Sequence, residues 1–244
     1  SPYYHSRCYR ILLGCGTSHI TAQNDYLVTT IPNQEDPLSE EEQFIKENFP
    51  LQLLCKWTSG MKFMFIPSGR DMFLPTLSVY ETEKGADNSV LKHKILTFAG
   101  YEEKSQKLSN DMSYSTRLIF ECDGEKYYYE IKNTRPDEIY EKNPRAYING
   151  LVNLKDVDTA KDLLTGRKIY VQSDMAQVDD ANSYSGYREV SIPVNTEATI
   201  TAIGVGSQAY PVKIIFQDSQ GHSYYLEVAL SRTNSGMDVS DFQA

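Results

Sequence analysis

Long apolar runs are missing from this chain of 244 residues, and so is any surplus of basic charge. No hydrophobic stretch approaches the roughly 18 residues that a membrane-spanning helix needs. The 33 acidic and 24 basic residues give a net charge of −9, which repels a phosphate backbone unless a basic stripe overrides it. The sequence contains no such stripe, so we expect neither a transmembrane span nor a nucleic-acid partner.

Cysteine and histidine are scarce, with four residues of each. The cysteines form no CxxC pair and no histidine lies at zinc-ligand spacing, so we expect structural thiols and no metal site. The segment Gly204–Ala209 matches the dinucleotide pattern GxGxxA, but Tyr210 and Pro211 follow where the helix should begin, which favours a loop. We therefore predict no cofactor and assign no catalytic residue.

The amino-terminal stretch resembles a signal peptide. Arg7 and Arg10 precede or open the short apolar run Ile11–Gly16, and a cut after Ala22 would suit the pattern. We expect an exported protein, periplasmic or at the cell surface. The alternative is an ordinary first strand or arm.

Three blocks of the sequence occur twice in the same order, which predicts an internal repeat. The matching blocks are Gly60–Phe65 with Gly166–Val171, Leu96–Gly100 with Ile200–Gly204, and Ile119–Ile131 with Ile215–Val228. The spacing between blocks differs where surface loops belong, because insertions are tolerated there better than in strands.

A short helix is predicted before each copy. Ser39–Glu42 is a capping-box pattern and Pro50 is the stop signal, while Asp158 is placed to cap a helix over 159–164. Both helices would lead directly into the first strand of their copy.

Each copy also ends in a predicted hairpin. Asp123 and Gly124 suit a two-residue type I′ turn, and Asp218–Gly221 suits a longer loop with glycine in the left-handed position. Side-chain alternation then places Tyr128 and Tyr225 at equivalent positions on the outer, wetter face.

About five short strands, a long loop after the first strand and a late hairpin favour a small closed barrel for each copy. With their Gly-Lys-aromatic opening, residues from about Leu53 to Arg232 resemble the tandem bacterial SH3-like barrels of exported proteins. The resemblance implies a mainly β chain with two tandem SH3-like small β-barrels, each preceded by a short helix. An immunoglobulin-like sandwich is the alternative, but it needs about seven strands per copy.

The predicted organisation follows from these boundaries. Pro136, Pro144 and Gly150, with few apolar positions around them, indicate a connection between the copies. We predict an N-terminal segment over 1–37, a first barrel over 38–132, a linker over 133–153, a second barrel over 154–234 and a tail over 235–244.

Tyrosine supplies the candidate ligand-binding residues, since its amphipathic ring suits binding surfaces as well as strands. Tyr80, Tyr184 and Tyr187 lie after the first strand of their copies, where barrels of the resembling kind carry ligand grooves. Tyr128 and Tyr225 are candidates because an exposed ring is costly unless a neighbour or a ligand covers it. For this pair we favour packing against a neighbour.

The resemblance implies a non-enzymatic binding module of the bacterial cell envelope that holds a peptide, a cell-wall fragment or a glycan. An alternative is a structural or assembly subunit whose exposed strand edges pair with another envelope protein. A hydrolase with its site between the repeats is the third hypothesis.

Overall fold

The computed structural model describes residues 10–13, 18–21, 43, 47–50, 54–67, 74–109, 111–139, 148–171 and 174–228. They form a mainly β structure with two curled antiparallel sheets, which confirms the predicted β class. They divide into two compact units. We call Leu51–Asp158 with Ser207–Pro211 the first unit, and the residues up to Pro50, Thr159–Gly206 and Val212–Ser231 the second unit.

The strands and helices have the following bounds. The strands are β1 (Arg10–Leu13), β2 (Ser18–Thr21), β3 (Lys62–Phe65), β4 (Ser78–Val79), β5 (Ile95–Leu108), β6 (Asp111–Cys122), β7 (Glu125–Lys132), β8 (Leu151–Asn153), β9 (Lys168–Val171), β10 (Met175–Asp179), β11 (Tyr187–Ser191), β12 (Thr196–Val205), β13 (Val212–Asp218) and β14 (Ser223–Val228). The helices are α1 (Asn88–Leu91) and α2 (Leu154–Leu164), with 3-10 turns at Leu54–Lys56 and Pro136–Glu138.

Five strands follow one another in the same order in both sheets. The first unit has the order β4-β7-β6-β5-β3-β8, and the second has β11-β10-β14-β13-β12-β9-β1-β2. The set β4-β7-β6-β5-β3 therefore has the connectivity of β10-β14-β13-β12-β9. Strands β5 and β6 are longer than expected, at 14 and 12 residues. The SH3-like assignment stays a prediction.

Strand pairing corrects the middle block of the predicted repeat. Phe63 of β3 pairs with Leu96, and Ile169, which holds the same place in β9, pairs with Ala198. The position equivalent to Leu96 is therefore Ala198, two residues before the Ile200 that the sequence match selected. The match was wrong because it aligned Gly100, which follows a β-bulge, with Gly204, which lies in regular strand.

The late hairpins follow their turn residues. Asp123 and Gly124 have φ angles of 53° and 83°, and two positive φ values define the type I′ turn that the sequence predicts. In the second unit Gly221 has a φ of 83° and its N–H donates to the carbonyl of Asp218. Both predicted hairpins are confirmed.

The core of the first unit is rich in aromatic rings. Trp57 is buried and its ring lies 4.5 Å from that of Phe63, so it fills the core as one would expect of an indole between strands. Phe98 and Phe120 are fully buried beside it. The buried thiol of Cys122 belongs to the same cluster.

The core of the second unit is mostly aliphatic and includes Phe49, which lies much earlier in the sequence. Phe49 is buried there with Ala160 and Leu164 of α2. Gln43, Glu47 and Asn48 are helical, as predicted for this stretch. The stretch nevertheless groups with the second unit, not with the first barrel over 38–132, because Phe49 packs in the second core.

The amino-terminal hairpin also belongs to the second sheet. Strand β1 pairs with β9 and β2 pairs with β1, both antiparallel. The stretch considered as a signal peptide thus contains two strands, in line with the alternative interpretation. Export stays a prediction.

Helix α2 begins earlier than the sequence analysis expected. Asn153 accepts a hydrogen bond from the N–H of Lys155 at 3.0 Å and is the N-cap, so Asp158 lies inside the helix. The predicted linker over 133–153 also contains β8, which pairs with β3, and its residues Ile139 and Ile148 are buried in the first core. Among the described helices, none has the length and apolar character of a membrane span.

Candidate functional site

Tyr128 lies under a cation rather than in solvent. Its side chain points to the outer face of β7, as alternation predicts, but the residue is only 5% exposed. The guanidinium carbon of Arg117, on neighbouring β6, lies 4.0 Å from the centre of the Tyr128 ring. The ring therefore packs against a neighbour, as we favoured for this pair, and the face is not wet at this position because a cation–π contact covers the ring.

Arg117 is in turn enclosed by carboxylates. It stands directly opposite Glu102 of β5 and Glu130 of β7 in the two strand pairings. Its Nη2 donates to Glu83 Oε1 at 2.9 Å, and its Nε lies 3.6 Å from Glu130 Oε1. A buried guanidinium needs such partners because desolvation of an unpaired charge is expensive.

Glu83 comes from the turn after β4 and accepts a second hydrogen bond on the same oxygen. Lys104 Nζ lies 2.7 Å from Glu83 Oε1. The hydrogen bond from Lys104, followed by that from Arg117, lowers the pKa of Glu83 to about 2. The group is ionised in any ordinary solution, and it joins the turn to the sheet.

Tyr80 packs against the same cluster. Its ring meets Tyr128 edge to face with centroids 6.3 Å apart, and its hydroxyl donates to Glu102 Oε2 at 2.7 Å. This hydrogen bond raises the pKa of Tyr80. The structure thus brings two of the five predicted tyrosines, Tyr80 and Tyr128, into contact.

Tyr225 repeats the arrangement in the second unit with weaker partners. It is 8% exposed, and Lys213 Nζ lies 3.8 Å from the centre of its ring. Asp179 Oδ1 is 3.8 Å from the same ammonium group. Burial is the main cause that raises the pKa of Tyr225 to about 12. Lys213 and Tyr225 occupy the pairing positions that Arg117 and Tyr128 occupy in the first sheet.

Tyr184 and Tyr187 are the predicted candidates that remain open to solvent. Tyr184 is fully exposed in the turn between β10 and β11, and Tyr187 at the start of β11 is partly exposed. The turn is ordered by hydrogen bonds, including those from the N–H of Asn182 to Asp180 Oδ1 and from the N–H of Gly186 to the carbonyl of Ser183. Whether any of the five tyrosines binds a ligand stays a prediction.

A groove of about 530 Å³ lies on the other face of β6, where the long β5–β6 hairpin leaves the core. The ring of Tyr114 lines the groove, and the guanidinium carbon of Arg135 lies 3.9 Å from the ring centroid. The side chain of Met112 is about half exposed at its edge. The lining residues are Asp111, Met112, Ser113, Tyr114, Asn133, Arg135 and Glu138.

Local interactions fix the second wall of this groove. Asn133 turns the chain after β7 with a φ of 54°. The buried hydroxyl of Thr116 then donates to the carbonyl of Thr134 at 2.7 Å, which ties this segment to β6. The N–H of Arg135 donates to Glu138 Oε2 at 2.8 Å and holds the 3-10 turn that follows. The groove is therefore bounded by anchored backbone on both sides.

Sequence reasoning missed the groove because its second wall lies in the predicted linker. The available signals were Asn133, a residue that tolerates positive φ, and Pro136 at the first position of a helical turn. They indicate an ordered turn rather than a free connection. They do not reveal that Arg135 covers Tyr114.

The described residues also contain an imidazole–carboxylate pair, which we assign to turn structure. His222 Nδ1 lies 3.2 Å from Asp218 Oδ2, and Asp218 Oδ1 accepts the N–H groups of Gln220 and His222. These contacts close the β13–β14 loop. Within the part of the chain that the structure describes, no group of three or more His, Cys, Asp or Glu residues is placed to hold a metal ion.

Comparisons with known proteins give no match: none was found among protein-family models, curated proteins or solved structures.

Proposed function

We propose that this chain is a non-enzymatic binding module of the bacterial cell envelope, in which two SH3-like barrels from a duplicated segment hold an extended ligand. The shared order of five strands in the two sheets supports the duplication and the barrels. Export and the envelope location are part of the proposal and rest on the amino-terminal sequence pattern.

The observation that carries the proposal is the groove between the start of β6 and the segment after β7. Tyr114 and Met112 offer apolar surface, while Arg135 and Glu138 offer charged hydrogen-bonding groups of both signs. Such a mixture suits a chain-like ligand that alternates apolar and polar groups, as a peptide, a cell-wall fragment or a glycan does. The anchored walls reduce the entropy that binding would cost.

Retention of the full chain on purified sacculus and on envelope extract tests this function. The site variant is Tyr114→Ala with Arg135→Ala. The matched control is Tyr170→Ala with Arg188→Ala, the same residue types at exposed positions of the second unit.

We expect the wild type and the control to be retained, and the groove variant to lose about tenfold or more in affinity. Retention of the wild type on neither material would remove the binding-module proposal. Equal retention of the groove variant and the control would show that the groove is not the ligand-binding site.

A second candidate, an assembly subunit, is favoured by Tyr184. A fully exposed aromatic ring on an ordered turn is typical of an interface anchor. If this function is right, the chain binds a protein of the envelope extract but not the sacculus, and Tyr184→Ala abolishes that binding while the groove variant does not.

A further inference from the structure

Arg117 has one side-chain hydrogen-bond donor that is not satisfied within the folded chain. Its side chain is only 6% exposed, and its Nε–H is buried without a hydrogen-bond partner. The carboxylate oxygen Glu130 Oε1 lies 3.6 Å from Nε and accepts the hydroxyl of Ser115 at 3.0 Å instead. An unsatisfied buried donor of this kind calls for an explanation in a folded protein.

The group that closes the site toward solvent is Glu83. It is 53% exposed, and a single oxygen, Oε1, receives both Arg117 Nη2 and Lys104 Nζ. A carboxylate on a guanidinium prefers two parallel hydrogen bonds, one from each donor of the fork. Glu83 makes only one with Arg117, and its own backbone has a φ of 55°, which is unfavourable for a residue other than glycine.

The surroundings of this contact are preformed. The guanidinium carbon of Arg117 lies 4.0 Å from the centre of the Tyr128 ring, and Tyr80 packs edge to face against that ring. Lys104 provides a second cation at the rim, with about one-third of its side chain exposed. These groups remain in place whichever carboxylate occupies the position.

We infer that Arg117 and Lys104 form a binding site for a ligand carboxylate, and that Glu83 occupies this site as an internal substitute when no ligand is present. A ligand that replaces Glu83 leaves the number of carboxylates around Arg117 unchanged, so no buried charge loses its partner. It gains the second bond of the fork through Nε–H, while the side chain of Glu83 moves into water. The site lies on the face of β6 opposite the groove and does not depend on the proposed function.

The second unit lacks this capacity at the equivalent position. Lys213 replaces Arg117, and an ammonium group has no planar fork for two parallel hydrogen bonds. Gly204 takes the cross-strand place that Glu102 has in the first sheet. The inferred site is therefore a property of the first unit.

A free peptide carboxyl terminus is the ligand we favour, because the partly exposed ring of Tyr80, beside the site, can contact the residue that carries the carboxylate. A small organic acid offers the same charged group without that contact. The experiment separates these two sources.

The test is a titration of the full-length chain followed by the NMR cross-peak of Arg117 Nε–H. The probes are N-acetyl-alanyl-alanine, its carboxyl-terminal amide, and sodium acetate. The variants are Glu83→Gln, the matched control Glu81→Gln in the same turn, and Lys104→Gln in the Glu83→Gln background.

We expect N-acetyl-alanyl-alanine to shift the Nε–H cross-peak downfield, because a hydrogen bond forms there. Its dissociation constant should be about tenfold lower for Glu83→Gln than for the wild type and Glu81→Gln, since the internal competitor is gone. The amide should cause no shift. In the Glu83→Gln background, Lys104→Gln should weaken binding about threefold, because Lys104 there serves the ligand carboxylate and not the competing one.

The inference fails if the peptide leaves the Nε–H signal unmoved in Glu83→Gln, or if Glu83→Gln and Glu81→Gln bind it equally. Acetate binding as tight as that of the peptide would keep the carboxylate site and exclude the peptide as its ligand. If Glu83→Gln does not fold, the wild-type titration still decides, because an Nε–H signal that saturating peptide leaves unmoved, or that the peptide and its amide move equally, contradicts the site.

Discussion

Glu83 links electrostatics to stability at the scale of a single residue. Its folded pKa of about 2 lies below the ordinary value of 4.5, because Lys104 and Arg117 hydrogen-bond its charged form. A carboxyl with a depressed pKa stabilises the fold fully above its unfolded pKa, and this stabilisation is lost as the pH falls through the folded value.

We therefore expect Glu83→Gln to lower the free energy of unfolding of the first unit near neutral pH. The difference from the wild type should stay constant down to a pH of about 4.5 and shrink between about 4.5 and about 2. Urea unfolding at several pH values measures it. Glu81→Gln should show no such pH-dependent gap, and a gap that is unchanged at low pH would contradict the assigned ion pairs.

The contact between Arg117 and Tyr128 gives a second prediction. Tyr128→Phe keeps the ring, whereas Tyr128→Leu removes the π face on which the buried guanidinium lies. We expect Tyr128→Leu to cost about 2 kcal/mol more than Tyr128→Phe in unfolding free energy. Equal losses in denaturant titrations would show that ring volume, not the cation contact, matters at this position.

At this scale the sequence predicts on which face of the sheet a side chain lies, but not which residues bury it. Alternation along β7 places Tyr128 on the outer face, because neighbouring side chains of a strand point to opposite sides. Its burial depends on Arg117 from another strand and on Tyr80 from a segment distant in the sequence. Neither partner can be found without knowing the pairing register.

At the scale of elements, Asn153 and Asp158 can be compared as candidate N-caps of α2. Asn153→Ala removes the side-chain oxygen that accepts the N–H of Lys155, and should cost about 1 kcal/mol. Asp158→Ala lies within the helix and should cost less, since alanine is the better helix former. Thermal unfolding of both variants tests this, and a larger loss for Asp158→Ala would restore the start that the sequence analysis predicted.

Elements defined by adjacent residues could be predicted, and those defined by pairing could not. Asp123 and Gly124 specify their turn because both adopt positive φ there. The bulges after Phe98 and Ile200 depend on which residue of the next strand each one faces. Similarity between Gly100 and Gly204 therefore misplaced the register by two residues.

At the scale of the whole molecule, the residues that the structure describes form two hydrophobic cores that share no residue. Phe120 and Phe216 hold equivalent pairing positions and are both fully buried, one in each core. Each substitution to alanine should cost about 4 kcal/mol. Hydrogen exchange should then quicken in β3–β7 for Phe120→Ala and in β9–β14 for Phe216→Ala, and the same pattern for both variants would contradict separate cores.

The division of the chain shows what sequence patterns miss at this scale. The late hairpins were predicted from their own residues, but the placement of Phe49 in the second core was not, since its partners lie more than a hundred residues later. The boundary between Asp158 and Thr159 falls inside a continuous helix, where no change of composition marks it.

The positions of the two bulges decide how the central strands can be exchanged by protein engineering. A graft of 197–202 in place of 95–100 carries the extra residue Thr201 to the place of Ala99, so every neighbour keeps its hydrogen-bonding partner. A graft of 199–204, the alignment that sequence similarity selects, would shift the strand register by two residues. The β-bulge would then lie opposite the wrong residues of the neighbouring strand. Chimeras that exchange these two strands should therefore be built with the first of these alignments, which preserves the strand register.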